Sequence, residues 1–555
     1  MGNIADYIAQ DLVEHGATHV FGYPGASILP LLQAVVEHPR LEWVLMRNEA
    51  AASLAASAQA KLTGRLSACL ATSGPGATNL ITGLIDAQLD GAPVLALTGM
   101  LPTWRQGRLE FQDVDTAAML APHIGRSAHC AHPNELPPML REAMAVALEQ
   151  RCVTHLAIPT DIQALALDEE HRAMFTPVAP PPPTPLFPTD AAFDAAVAAI
   201  AEAGHVAIAV GSAARGCGAA ILRLAEKLKA PVVTSLGDKG IVDERHPNVA
   251  GVLGIFGAPG EQVARDVLGH AELILSFGIA NLGPFVAGRS GRQVRELVRC
   301  APSPRHVPGG FRARATMIGR LDAIADRLAE RLPEGGHADC LEGAGAAMAG
   351  FLAEWVEERL PQDKRHAHPV KVMRALSAHL PHDGVLALDI GDNAVWAAQF
   401  LHLSGEHAAL VSENLGVMGF CLPALIAAAA THPQATVVGI AGDGGVQMTI
   451  GELGAAAQAG VTLVLVILNN GILGRIRAQE NEPYSVALQN PDFVALARAY
   501  GCDGMTVDGS TDLDAAVTKA YGHRGSPFVL DVRCAPEALA PMSGWNDGFA
   551  PLHFS

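Results

Sequence analysis

The sequence is poor in aromatic residues, has no cysteine pairing motif, no excess of positive charge and no long apolar run. Aromatics make up 5% of the 555 residues, whereas half of all residues are hydrophobic and alanine and glycine are used heavily. Sizeable cores are within reach, and length alone allows three ordinary domains. Lys and Arg number 38 against 56 Asp and Glu, a formal charge of −18. That balance argues against a nucleic acid or other polyanion as partner. The nine cysteines are scattered without a C-x-x-C spacing, so no disulfide framework is expected and a reduced setting fits. No stretch approaches the roughly 20 apolar residues of a membrane helix. The first residues lack a basic segment followed by an apolar one, and Asp6 stands where a myristoylation signal has Ser or Thr. A soluble cytoplasmic protein is expected, with neither nucleic acid nor membrane as partner.

Proline and glycine mark the joints. The run 177–188, PVAPPPPTPLFP, cannot be helix or central strand and reads as an extended connector. A softer boundary runs from Pro333-Glu334-Gly335-Gly336 to the polar, proline-flanked stretch 361–369. The chain thus divides into 1–170, 190–335 and 365–540. In each part short apolar runs alternate with helical patterns. Strands are expected at 18–22, 43–46, 66–71 and 94–98, then at 205–210, 231–234 and 273–277, then at 385–389, 436–441, 461–468 and 528–532. Strand–helix alternation throughout predicts an α/β fold of three doubly wound parallel-sheet domains.

One polar island breaks the apolar pattern of the last part. Gly442-Asp443-Gly444-Gly445 follows the apolar run 435–441, and Asn469-Asn470 follows VTLVLVIL at 461–468, with helical spacing over 448–459 between them. Acid and amide then lie at the carboxyl ends of strands in one βαβ unit, where open α/β sheets bind ligands. A carboxylate, an amide oxygen and the carbonyl of Ile472 form an all-oxygen half-shell suited to Mg²⁺, which keeps waters and phosphates as its other ligands. The glycines let a diphosphate approach a helix start closely. Asp-Gly alone is an ordinary turn; the Asn pair one helix and one strand later sets this one apart. Glu49 follows the strand 43–46 and opens an alanine-rich segment, so it sits near a helix start, where a carboxylate also suits the helix dipole.

The GDG…NN pairing resembles the signature of thiamine diphosphate enzymes. The resemblance to the acetolactate synthase and pyruvate oxidase family covers nearly the whole chain. In the first part it is carried by the stretches 19–25 (HVFGYPG), 48–51 (NEAA) and 72–79 (TSGPGATN). In the last part 389–391 (DIG), 396–400 (WAAQF) and 416–420 (GVMGF) follow in family order. The resemblance implies a pyrimidine-binding domain at 1–170, a middle domain of degenerate FAD- or nucleotide-binding type at 190–335, and a diphosphate-binding domain at 365–540. It implies that Asp443 and Asn470 bind Mg²⁺ by side chains and Ile472 by its carbonyl. Gly444 and Gly445 would donate backbone N–H groups to the diphosphate, and Met418 would hold the two cofactor rings in a V. Glu49 would activate the cofactor through a hydrogen bond to N1′ of its aminopyrimidine. Phe111 and Gln112 would face the substrate. Pro24, Thr72, Asn79, Gly391, Asp392, Asn393, Gly416, Gly442 and Leu473 complete the implied cofactor contacts. The family builds its site between the first domain of one subunit and the last domain of another. A homodimer is therefore the minimum, and a homotetramer is expected.

The chain also departs from the family. Residues 211–216 (GSAARG) and Lys239-Gly240 resemble parts of its flavin-binding region. No acid, however, ends the stretch 293–301 that follows Phe277-Gly278. Arg292, Arg295, Arg299, Arg305, Arg312 and Arg314 crowd that area, as a solvated face or as a site for another anion. FAD is the cofactor that the resemblance supports least. Asp392 stands where neutral or basic residues are usual near the diphosphate. An ionised Asp392 would be repelled there unless it points away or caps a helix. Gln479 stands where anabolic acetolactate synthases carry a tryptophan, and Ala26 replaces a second glycine after Pro24. The implied reaction is decarboxylation of a 2-oxo acid, with pyruvate the expected donor, and ligation of the acyl unit to an acceptor carbonyl. The alternatives are a 2-oxo acid decarboxylase, a benzaldehyde lyase-type enzyme, a pyruvate oxidase-type oxidoreductase if FAD is bound, and a non-catalytic subunit.

Overall fold

The computed structural model describes residues 2–168, 170, 174–176, 178–179, 186–253, 259–279, 296–303, 313–333, 364–405, 407–477, 484–538 and 540. Most of the proline run 177–188, Gln479, and Arg292, Arg295, Arg305 and Arg312 lie outside them. Three six-stranded sheets follow one another along the chain, with every pairing parallel. The first contains β1 (His19–Gly22), β2 (Glu42–Leu45), β3 (Ser67–Ala71), β4 (Val94–Met100), β5 (Arg126–His129) and β6 (Val153–Pro159), in the order β2-β1-β3-β4-β6-β5. The second contains β7 (Val206–Val210), β8 (Val232–Ser235), β9 (Val249–Leu253), β10 (Leu273–Phe277), β11 (Glu296–Ala301) and β12 (Ala313–Ile318), in the order β12-β11-β10-β7-β8-β9. The third contains β13 (Val385–Leu388), β14 (Ala408–Leu410), β15 (Val437–Gly442), β16 (Val464–Asn469), β17 (Asp503–Val507) and β18 (Phe528–Arg533), in the order β14-β13-β15-β16-β18-β17. The strand order reverses at β1/β3, β7/β10 and β13/β15, and such reversals leave a crevice at the carboxyl ends.

Central strands such as β3, β7 and β10 are buried along their whole length, as two-sided helix cover requires. Every run read as a strand from sequence is one. The largest boundary shift is at 461–468, where β16 begins at Val464.

The first and third domains share a core. The alanine-rich helix Glu49–Thr63 packs on the helix Cys421–Thr431, and Ala51, Ala55, Ala58, Ala424, Ala427 and Ala428 are all fully buried in one apolar cluster. Small side chains let the two backbones come close. At one end of this contact the half-buried Lys61 lies between Asp86 (2.7 Å) and Asp90 (2.6 Å) and 4.7 Å over the Phe420 ring. At the other, both carboxylate oxygens of Glu452 accept the Arg47 amide at 3.0 Å. Among the described residues no helix is long and apolar enough to cross a membrane, and no described cysteine is in a disulfide.

Candidate active site

Strands β13, β15 and β16 lie side by side, with Leu388 opposite Ile440 and Gly442 opposite Leu468. β13 ends at Leu388, opposite Ile440, and β15 ends at Gly442, so their carboxyl ends finish close together with that of β16 and open on a cavity of about 260 Å³. Asp443 follows β15 directly, and Asn470 follows the last residue of β16. Gly391, at φ 142°, turns the chain into the helix Asp392–Phe400, a backbone conformation that a side chain would strain. Gly442 likewise precedes the helix Asp443–Gln447. Two helix starts, neither capped by a side chain, converge on one cavity, an arrangement that favours an anion.

Every candidate of the last domain lines this cavity: Gly391, Asp392, Asn393, Gly416, Met418, Gly442 to Gly445, Asn470, Ile472 and Leu473. Asp443 is held rigidly. Its Oδ2 accepts from the Gly471 amide (2.7 Å) and from Asn490 Nδ2 (2.6 Å), and its Oδ1 from the Gly444 amide (2.9 Å). Burial pushes its carboxyl up from the usual range, and these donors pull it back. Asn490 also donates to Asn469 Oδ1 (2.9 Å), whose own amide donates to the buried Asp531 (2.8 Å). The first Asn of the pair is thus structural, and the second faces the cavity. Asn393 lines the cavity and also has a structural role. Its amide donates to the carbonyls of Asp389 (2.7 Å) and Ile440 (3.1 Å), tying the ends of β13 and β15 together. Asp389 in turn receives the Gly419 amide at 2.8 Å and so fixes the turn that carries Met418. A Cβ on Gly444 would lie 2.6 Å from Leu473 Cδ2 and 3.8 Å from Met418 Cε, so Met418 and Leu473 close in on the glycine island.

The first-domain candidates form a second group. Glu49 is the first residue of its helix, capped by the Asn48 side chain, and is 9% exposed. Asn79 Nδ2 donates to Glu49 Oε2 at 3.0 Å. Gly76 lies against it, since a Cβ there would be 3.1 Å from Glu49 Oε1 and 2.8 Å from Thr72. Thr72 shares a hydrogen bond of 2.9 Å with Ser27 and blocks any side chain at Gly25, next to Pro24. Gln112 packs on Gly74, a glycine at φ 65°, and itself holds a left-handed φ of 64°. Such a conformation is uncommon outside glycine and clusters at functional loops. Phe111 beside it is 79% exposed. None of Pro24, Glu49, Thr72, Asn79, Phe111 or Gln112 lines the cavity of the last domain.

Sequence reasoning missed Asn490 and Arg475, and gave Trp396 no site role although it opens the stretch 396–400. Trp396 and Arg475 line the cavity, and Arg475 Nε lies 3.4 Å from Asp392 Oδ1. Asp392 therefore faces a cation. Burial raises its carboxyl, and Arg475 and the Ala540 amide draw it down. A second cavity, about 190 Å³, lies where the three domains meet and includes Arg215 and Asp238 of the middle domain and Glu413 of the last. Asp238 is pushed up to about 8 by burial and by Glu413. Of the described arginines near β11, Arg299 is buried, whereas Arg314 bridges Glu296 (2.8 Å) and Glu202 (2.6 Å) at the surface.

The residues fit the implied cofactor on structural grounds. Two helix starts suit a diphosphate, and a carboxylate, a carboxamide and a backbone carbonyl at one cavity suit a hard divalent cation. Among the described residues there is no cluster of three His, Cys, Asp or Glu side chains that would suit another metal centre.

Comparison with known proteins agrees in domain order. Residues 2–119 match the thiamine pyrophosphate enzyme N-terminal TPP binding domain, 193–328 its central domain and 389–532 its C-terminal TPP binding domain. The chain is 31% identical over 552 residues to an acetolactate synthase of Arthrospira platensis, covering 95% of this chain and 93% of that protein. It is 31% identical over 548 residues to the acetolactate synthase isozyme 2 large subunit of Escherichia coli strain K12, covering 96% and 95%. A putative thiamine pyrophosphate-containing protein of Bacillus subtilis, YdaP, is 28% identical over 561 residues, covering 96% and 91%.

Proposed function

The chain belongs to the thiamine pyrophosphate enzyme family, and from that premise we propose an acetolactate synthase-like carboligase that uses thiamine diphosphate and Mg²⁺. It decarboxylates a 2-oxo acid, with pyruvate the first candidate, and ligates the acyl unit to an acceptor carbonyl. The observation that carries this reading is the convergence of Asp443, Asn470 and Ile472 on one cavity between two helix starts.

In this reading Asp443, Asn470 and the Ile472 carbonyl would hold Mg²⁺ on the cofactor diphosphate, and the Gly445 amide would donate to its oxygens, whereas the Gly444 amide donates to Asp443 Oδ1. Met418 and Leu473 shape the wall on which the cofactor rings rest. When bound, thiamine diphosphate would supply a nucleophilic carbon toward the 2-oxo acid carbonyl and an electron sink for the bonding pair left behind as carbon dioxide departs. Glu49, oriented by Asn79, exchanges a proton with the aminopyrimidine ring. Gln112, set by its left-handed backbone against Gly74, hydrogen-bonds the substrate oxygen, and Phe111 covers it.

Glu49 and its neighbours are absent from the lining of the Asp443 cavity within one chain. That absence supports a reading in which the complete site takes Glu49 from one subunit and Asp443 from another, with a homodimer as the smallest active form and a homotetramer as the expected one. The exposed Trp104, Leu109 and Phe111 near Gln112, and the exposed Met448 and Ile476 near the cavity, support burial of both half-sites by a second copy.

The test is identification of products by mass spectrometry, with pyruvate, thiamine diphosphate and Mg²⁺, with and without an aldehyde acceptor. The expected products are carbon dioxide with 2-acetolactate from two pyruvates, or with a hydroxyketone from the aldehyde. Acetaldehyde as the sole organic product would overturn ligation in favour of simple decarboxylation, and acetate formed at the expense of oxygen would favour an oxidase.

A further inference from the structure

The last-domain cavity is lined by two acids, Asp392 and Asp443, and, among the described residues, by one cation, Arg475. Arg475 is 8% exposed and lies in the helix Gly474–Arg477, three residues beyond Ile472. Asp392 opens the helix Asp392–Phe400 from the opposite wall and places Oδ1 3.4 Å from Arg475 Nε. A Cβ on Gly474 would lie 2.6 Å from Asp392 Oδ2 and 3.5 Å from Asn470 Nδ2. The Asp392 carboxylate and the Asn470 carboxamide thus flank one point beside the proposed metal site.

This placement makes a demand. A diphosphate bound beside the Asp392 wall needs a cation there, and Arg475, 3.4 Å from Asp392, is the one that lines the cavity among the described residues. A guanidinium carries five donors in a planar fork. That is enough to meet a carboxylate along one edge and a phosphate oxygen along another. We propose that Arg475, oriented by Asp392, is a cofactor-binding residue of this chain that donates directly to the diphosphate. Asp392 acts as the positioning residue, and the pair turns an acidic position at the cavity wall into a net phosphate grip. The proposal rests on the thiamine diphosphate reading of the same cavity.

A purely structural role for Arg475, as a counter-ion to Asp392, makes a different forecast, and a titration separates the two. The full-length protein is titrated with thiamine diphosphate at fixed Mg²⁺, and separately with inorganic diphosphate, following tryptophan fluorescence; Trp396 lines the cavity and reports on it. The variants are Arg475→Met, Asp392→Asn and the double change, each checked for folding by circular dichroism. Arg475→Met alone leaves a buried acid without its cation and can misfold; the double variant removes both charges, so the comparison with Asp392→Asn stays decisive. The expected result is that the double variant binds both ligands roughly tenfold or more weakly than Asp392→Asn, the worth of one charge-assisted hydrogen bond. Equal affinity in those two variants would overturn the proposal and leave Arg475 as a counter-ion only. A wild-type chain that binds inorganic diphosphate but no thiamine diphosphate would instead overturn the functional reading, and the proposal with it.

Discussion

Glu49 and Asp443 admit substitutions that separate chemistry from binding. Glu49→Gln keeps the shape and can still accept from Asn79, but it cannot exchange a proton with a ring nitrogen. Turnover is expected to fall by roughly 10² to 10⁴, with the thiamine diphosphate dissociation constant changed only a few-fold; near-normal turnover would contradict the assigned role. Asp443→Ala removes the acceptor of three donors, Gly444, Gly471 and Asn490, as well as the proposed metal ligand. Cofactor binding in a calorimetric titration at millimolar Mg²⁺ is expected to disappear, and unchanged affinity would show that the half-shell is elsewhere. At this scale the sequence was most informative where chemistry repeats locally. Asp443, Asn470 and Ile472 were legible because two strand ends carry them, and Glu49 because it opens a helix. Asn490 was not, because it lies 20 residues beyond Asn470 in a segment without periodicity. Its link to Asp443 is a tertiary contact that no local pattern announces. The Asp392–Arg475 pair was half legible: the misplaced acid was visible, its partner was not.

Among the elements, the contact between the Glu49 helix and the last domain has a titratable fastener. Glu452 is 2% exposed and its carboxyl is pushed up to about 7 by burial, against the pull of the Arg47 and Asn48 amides. A carboxyl raised in the folded state contributes stability that is complete below its unfolded value and is lost as pH rises through its folded value. Wild-type protein should therefore lose stability between about pH 5 and pH 8 relative to Glu452→Gln, by up to about 3 kcal/mol from this group. Thermal unfolding of both proteins across that range checks it, and identical pH slopes would contradict it. The strands that sequence reading caught, such as β3, β10 and β16, are short apolar runs covered by helices on both faces. Those it missed are edges or carry polar residues. β5 (Arg126–His129) and β14 (Ala408–Leu410) are short sheet edges. β6 is fully buried yet holds Thr154 and His155, whose ring bonds Thr98 at 2.8 Å. A buried polar pair hides an interior strand from an apolar pattern.

For the whole molecule, the three-sheet order was legible because strand–helix alternation allows few topologies. The relation between the sheets was not, because it depends on the alanine faces of two helices 370 residues apart at Ala55 and Leu425. Glu49 does not line the Asp443 cavity within one chain, and the proposed reading accounts for this with one catalytic site built from two chains. The most direct measurement co-expresses Glu49→Gln and Asp443→Ala chains under different tags and assays the purified mixed assemblies for carbon dioxide release from pyruvate. Neither variant alone should turn over. Each mixed dimer has one intact site and one site that lacks both residues, so purified mixed dimers should recover about half of wild-type activity. Mixed assemblies as inactive as their parents would contradict the shared site.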